Sequence, residues 1–125
     1  MTISYRNIRA QAIYASVAFD TADIGSGIAI GTMPINAKFL SAAITITTVF
    51  NAGTTNILTV GISASGTEIA NDSESDADAT GIKDLTRMFA LNPLASARTI
   101  YAKYAQTGGA ATTGQAYIVI TFVEL

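Results

Sequence analysis

The strictest constraint on this chain is a period-two alternation that no helix satisfies. From Phe39 to Phe50 the even positions are Leu40, Ala42, Ile44, Ile46, Thr48 and Phe50, while the odd ones include Ser41, Ala43, Thr45 and Thr47. Successive side chains of a strand point to opposite faces, so large apolar groups gather on one face and small or hydroxylated ones on the other. The β-branched run Ile44 to Thr47 disfavours helix further, because such side chains are stiff at χ1. The segment reads as a strand. Asn51 to Thr55 then supply a turn, and Leu58, Val60 and Ile62 alternate with Thr59, Gly61 and Ser63. Two such runs about a short Gly-containing turn predict a hairpin.

The same grammar recurs. Ile13, Ala15, Val17 and Phe19 alternate with Tyr14 and Ser16, and Ile28 to Thr32 forms a shorter strand that Pro34 ends. Ile100, Ala102 and Tyr104 alternate with Tyr101 and Lys103, and a Gly/Thr-rich connection from Gly108 to Gly114 leads into Ala116–Val123. That last run is apolar on both faces, with Ile118, Ile120 and Phe122 on one and Tyr117, Val119 and Val123 on the other. A strand of this kind is covered on both sides, within its domain or by another subunit. Tyr117, Val119 and Val123 are therefore the candidate oligomer interface. Ile82, Leu85, Met88 and Phe89 fit one short helix near 82–90 as well as a twisted strand. Gly66 to Gly81 reads as an acidic, solvated loop. The fold class is all-β: an antiparallel, jelly-roll-like β-sandwich of about seven or eight strands.

The chain has 125 residues, enough for one domain with a real core, expected over residues 12–125. Residues 1–11 fit no strand pattern and read as an N-terminal arm carrying Arg6 and Arg9 and no acid, the alternative being a frayed terminus. Two arginines with no apolar run behind them do not make a signal peptide, and no stretch reaches the ~18 apolar residues of a membrane span. Only 13% of residues are charged, so some of the surface is expected to be hidden in subunit contacts. A net charge of −2 with scattered basic residues argues against a nucleic-acid partner.

With no Cys and no His, thiolate nucleophiles, Ser-His-Asp sets and Cys/His metal sites are absent from the sequence. Lys38, Lys83 and Lys103 stand in no nucleophile motif. The expectation is a protein that is not an enzyme and needs no cofactor. The one dense constellation is Asp72, Glu74, Asp76 and Asp78, with Glu68 before it. Carboxylates at alternate positions could offer oxygens to Ca²⁺. Counting from Asp72, however, position six is Ala77 and position twelve is Lys83, where an EF-hand loop needs Gly and Glu. A solvated loop is the preferred reading. Tyr101 and Tyr104 fall on opposite strand faces, which favours packing over stacking on a sugar.

The stretch Met33-Pro34-Ile35-Asn36-Ala37-Lys38-Phe39-Leu40 leads on to Phe50-Asn51-Ala52-Gly53-Thr54-Thr55-Asn56 and Leu58-Thr59-Val60-Gly61. Together with the turn and strand from Gly108 to Val123, it resembles small structural proteins of tailed phages, among them capsid decoration (cement) and head-fibre proteins. The resemblance implies a jelly-roll sandwich on the capsid exterior, made in the host cytoplasm. It would be a homotrimer that binds and reinforces the major capsid protein. The arm residues Tyr5, Arg6 and Arg9 are then the candidate capsid contacts. Alternatives are another virion part, such as a head-fibre, neck or tail adaptor subunit, or a carbohydrate-binding module. The likeness does not extend to the acidic stretch Glu68–Asp84.

Overall fold

The computed structural model describes residues 3–125. Seven strands form: β1 (Gln11–Ala18), β2 (Ile28–Met33), β3 (Ala37–Thr48), β4 (Thr55–Gly61), β5 (Gly81–Leu85), β6 (Arg98–Thr107) and β7 (Gln115–Glu124). A four-residue helix α1 (Asp72–Ser75) and one 3-10 turn (Arg87–Leu91) complete the set. Odd-numbered strands make a four-stranded sheet in the order β1-β7-β3-β5, and even-numbered strands make a three-stranded sheet, β2-β6-β4. All pairings are antiparallel. The pairs β1–β7, β2–β6 and β3–β5 nest within one another like a ribbon folded back on itself. Rolling that ribbon brings β7 beside β3 and β6 beside β4. This is jelly-roll wiring.

An eighth strand would complete the roll beside β4. In its place Ile69 and Ala70 make a single bridge, with the Ala70 N–H donating to Val60 O at 2.9 Å and the Val60 N–H to Ala70 O at 3.1 Å. The acidic segment is thus solvated only in part: Ile69, Ala70, Ser75 and Ala77 are buried, while Asp72, Asp76 and Asp78 are exposed. Its polar groups are met internally. Asn71 caps α1 by accepting from the Glu74 N–H, while Glu74 accepts from the Asn71 N–H, a reciprocal capping box. The buried Ser75 hydroxyl donates to Leu58 O at 2.6 Å.

The core lies between the sheets. From the larger come Ile13 and Val17, Phe39, Ile44 and Ile46, and Ile118, Ile120 and Phe122; from the smaller, Leu58, Val60, Ile100 and Tyr104. Burying each large side chain stabilises by about 1.5–3 kcal/mol. Two expectations fail here for identifiable reasons. The first is the phase of β3: Phe39 is buried and Leu40 is 43% exposed, because a bulge between Phe39 and Ser41 shifts the register by one. The second is the hairpin: β3 and β4 lie in different sheets, and Val49–Thr54 crosses between them. That crossing is pinned by Asn51, whose Oδ1 accepts from the Thr112 and Thr113 N–H groups at 2.7 and 2.9 Å. Near 82–90 the chain runs as strand through Leu85 and only then makes the 3-10 turn.

One stretch of sheet edge is covered by a side chain. Where β5 stops short, the Asn92 side chain continues the ladder, accepting from the Phe39 N–H at 2.7 Å and donating to Phe39 O at 3.1 Å. Such covering protects an edge from pairing with another chain. At the start of β7, Gly114 takes φ +150°, and a Cβ there would lie 2.5 Å from the Phe50 ring. Gly114→Ala is expected to destabilise by about 2–4 kcal/mol through backbone strain and overpacking. Gly109→Ala, which meets nothing within 4 Å, should stay within about 0.5 kcal/mol. Urea unfolding midpoints of both variants check this.

Candidate functional site

The arm reaches β1 without secondary structure, and residues 3–10 are exposed throughout. Tyr5 is 93% exposed. Arg6 reaches the far end of the chain, where its Nη2 donates to Glu124 O at 3.2 Å. Arg9 lies with Arg6, Asn7, Ile8, Gln11 and Glu124 around a shallow hollow of about 280 Å³. Tyr5, Arg6 and Arg9 thus belong to one exposed segment against the end of β7.

The second surface is the outer face of the four-stranded sheet. Ladder register places Tyr14, Val119, Ala43 and Asp84 in one row across β1, β7, β3 and β5. Ser16, Tyr117, Thr45 and Ile82 make the next. The Tyr14 and Tyr117 rings stack diagonally, with centroids 6.2 Å apart and planes 23° from parallel. Tyr14 is 62% exposed, Ile82 72% and Val119 38%. Tyr117 is half-buried. Val123 differs from the other two residues assigned to this face, since at 7% exposure it is already covered within the single chain. Sequence reasoning picked out β7 by its two apolar faces, but missed Tyr14 and Ile82. Nothing local marks them; only the pairing of β1 and β5 into the same sheet does.

Two of the acidic positions, Glu74 and Asp76, serve the fold. Among the described residues, no group of three carboxylates is placed to hold a metal ion. Glu74 Oε1 meets Arg87 Nε at 2.8 Å. Asp76 closes α1 in a left-handed conformation, φ 45°, its N–H donating to Asp72 O. Asp72 and Asp78 are exposed. Lys83 turns its ammonium to the carbonyls of Ser75, Asp76 and Ala79 at 3.1, 2.9 and 2.8 Å, so a side-chain cation already occupies that carbonyl cluster. Tyr104 packs in the core, its hydroxyl donating to Asn56 Oδ1 and its ring against Phe50. Burial pushes that hydroxyl's pKa up.

Fold and surfaces together define a jelly-roll sandwich whose distinctive exposed features are an arm and a sheet face. No known family's profile matches the sequence, and no curated protein does. Three solved structures share the fold. A chain of the cyanophage Pam1 capsid asymmetric unit superposes with a TM-score of 0.69 at 19% identity, covering 100% of this chain and 93% of its own. A chain of the capsid of Ralstonia phage GP4 gives 0.67 at 21%, with 99% and 90% covered. A chain of the acidic stable capsid structure of Helicobacter pylori bacteriophage KHP30 gives 0.62 at 10%, with 91% and 86% covered.

Burial raises the Glu74 pKa, but hydrogen bonds from Arg87 and the Asn71 N–H outweigh it and leave the carboxyl below its ordinary 4.5. A depressed carboxylate stabilises the fold above its unfolded pKa and loses that contribution as pH falls through the folded value. Glu74→Gln keeps a capping acceptor but loses the charge. It is expected to cost about 0.2–1 kcal/mol at pH 7, with the gap to the parent closing on acidification below 4.5. Denaturation midpoints measured from pH 7 to pH 3 check this.

Proposed function

We propose that this chain is a virion structural protein, a capsid decoration (cement) protein that binds the outer surface of a tailed-phage shell as a homotrimer. The observation that carries the reading is full-length likeness of fold to chains of three phage capsid structures, with 91–100% of this chain covered. The reading places the chain on the capsid exterior with the major capsid protein as partner. The arm suits a tether. It is exposed, it projects from the edge strand β1, and it carries Arg6 and Arg9 while all nine acidic residues lie outside it. Those guanidiniums would pair with carboxylates of an acidic shell exterior, and Tyr5 would supply apolar area beside them.

The mechanism is multivalency. One arm with two cations and one ring makes a weak contact. Three arms on a trimer aligned with a local three-fold axis convert the second and third contacts into intramolecular ones, raising avidity by about 10²–10⁴. No bond is made or broken, and cohesion of the shell follows from bridging neighbouring subunits.

Purified protein mixed with undecorated particles should add density to the shell in electron micrographs. A chain lacking residues 2–10 should lose it while keeping its β-type circular dichroism. Unchanged decoration without the arm would refute the tether.

A further inference from the structure

We propose that the carbonyls of Ser75, Asp76 and Ala79 form a seat for an ammonium group, filled by Lys83 of the same chain, and that this seat buckles the segment from Ile69 to Ala79 across one side of the sandwich as a strap. The inference goes beyond the decoration reading and does not rest on it. It starts from the sheet margins. β4 ends the three-stranded sheet and β5 ends the four-stranded one, and α1 lies against both. Ser75 is fully buried and is gripped from the two sides at once. Its hydroxyl donates to Leu58 O on β4 at 2.6 Å, while its carbonyl accepts from Lys83 Nζ on β5 at 3.1 Å. Elsewhere along the segment, Ala70 bridges to Val60 on β4, and Ala77 O accepts from the Phe50 N–H at 3.0 Å where the chain crosses between sheets. Those attachments are spread out. On the β5 side the bonds converge on one nitrogen.

Chemistry identifies what the seat takes. An ammonium has three N–H donors and no acceptor. Three carbonyls receive them here at 3.1, 2.9 and 2.8 Å, the range of ordinary N–H···O bonds. Two of the three lie at the end of α1, where helix carbonyls lack intrahelical partners. The last turn of α1 holds no basic residue, so Lys83 brings from another element the cation such an end favours. A Ca²⁺ ion would instead need roughly six to eight oxygens at about 2.3–2.6 Å. The seat thus matches a small ammonium ion and makes the strap independent of any metal.

The strap guards an edge. Leu58 O and both backbone groups of Val60, which face away from β6, are taken up by Ser75, Ile69 and Ala70. An edge occupied in this way cannot template pairing with another chain. Lys83, on one sheet, therefore secures the cover over the margin of the other.

Two measurements test this. In the parent protein, the Lys83 ammonium protons should give a nuclear magnetic resonance signal that exchanges with water far more slowly than that of the exposed Lys38. Lys83→Met keeps the apolar stem and removes the head. In that variant, hydrogen exchange at the Ala70, Asp76 and Ala79 amides should rise about tenfold or more while Ile118 on β7 keeps its parental protection. Ammonium chloride should restore the slow exchange, and tetramethylammonium chloride at equal ionic strength, which has no N–H to donate, should not. Parental exchange at all three amides in Lys83→Met, equal rescue by the two salts or rescue by neither would overturn the proposal. So would a Lys83 signal exchanging as fast as that of Lys38, which decides alone should Lys83→Met fail to fold.

Discussion

The β3–β7 ladder is the interaction on which the rest of the architecture hangs. It runs from Ala37↔Glu124 to Thr48↔Gln115, and both remaining strands of the larger sheet attach to its flanks, β1 on β7 and β5 on β3. Its inward residues, Ile44 and Ile46 with Ile118, Ile120 and Phe122, form the centre of the core. At about 1.5–3 kcal/mol for each large side chain buried, this row outweighs any surface ion pair by an order of magnitude. Two bulges interrupt the ladder on β3, between Phe39 and Ser41 and between Ile46 and Thr48. They let a twelve-residue strand curve with the roll and still deliver Phe39 and Phe50 to the interior.

Much of this was legible because strand periodicity is a local property. Ile13, Val17, Leu58, Val60, Ile100, Tyr104, Ile118 and Ile120 are buried where alternation placed large apolar groups inward. What failed was non-local. A bulge carries no composition signature at Leu40, so the phase slip was invisible there. A Gly-containing turn between two strands reads as a hairpin whether its strands pair or part. The partition of β3 and β4 is decided by partners such as Thr112, 61 residues downstream of Asn51. The acidic segment misled for another reason: among its four carboxylates lie a Ser and three apolar residues that are buried, Ser75, Ile69, Ala70 and Ala77. The open face followed the same rule. Tyr117 and Val119 were visible within one strand, whereas Tyr14 and Ile82 required the strand order.

Several of the charged groups are held by the fold. Lys83 caps three carbonyls, Arg87 holds Glu74, Lys103 reaches Ser65 and Arg6 reaches the last strand's backbone. Others, among them Asp72 and Asp78, are left to solvent. With 13% of residues charged, much of the exposed surface is neutral, as it is across the rows from Tyr14 to Asp84 and from Ser16 to Ile82, Asp84 itself apart.

The two exposed features differ in the physics that would govern any contact they make. A contact through the guanidiniums of the arm would be long in range and screened by salt within about a Debye length. One through the apolar and aromatic area of the sheet face would be short in range and insensitive to salt. Under the decoration reading, the arm would therefore dominate the approach of a subunit to an acidic shell, and its share of the attraction would fall as ionic strength rises while that of the sheet face would not.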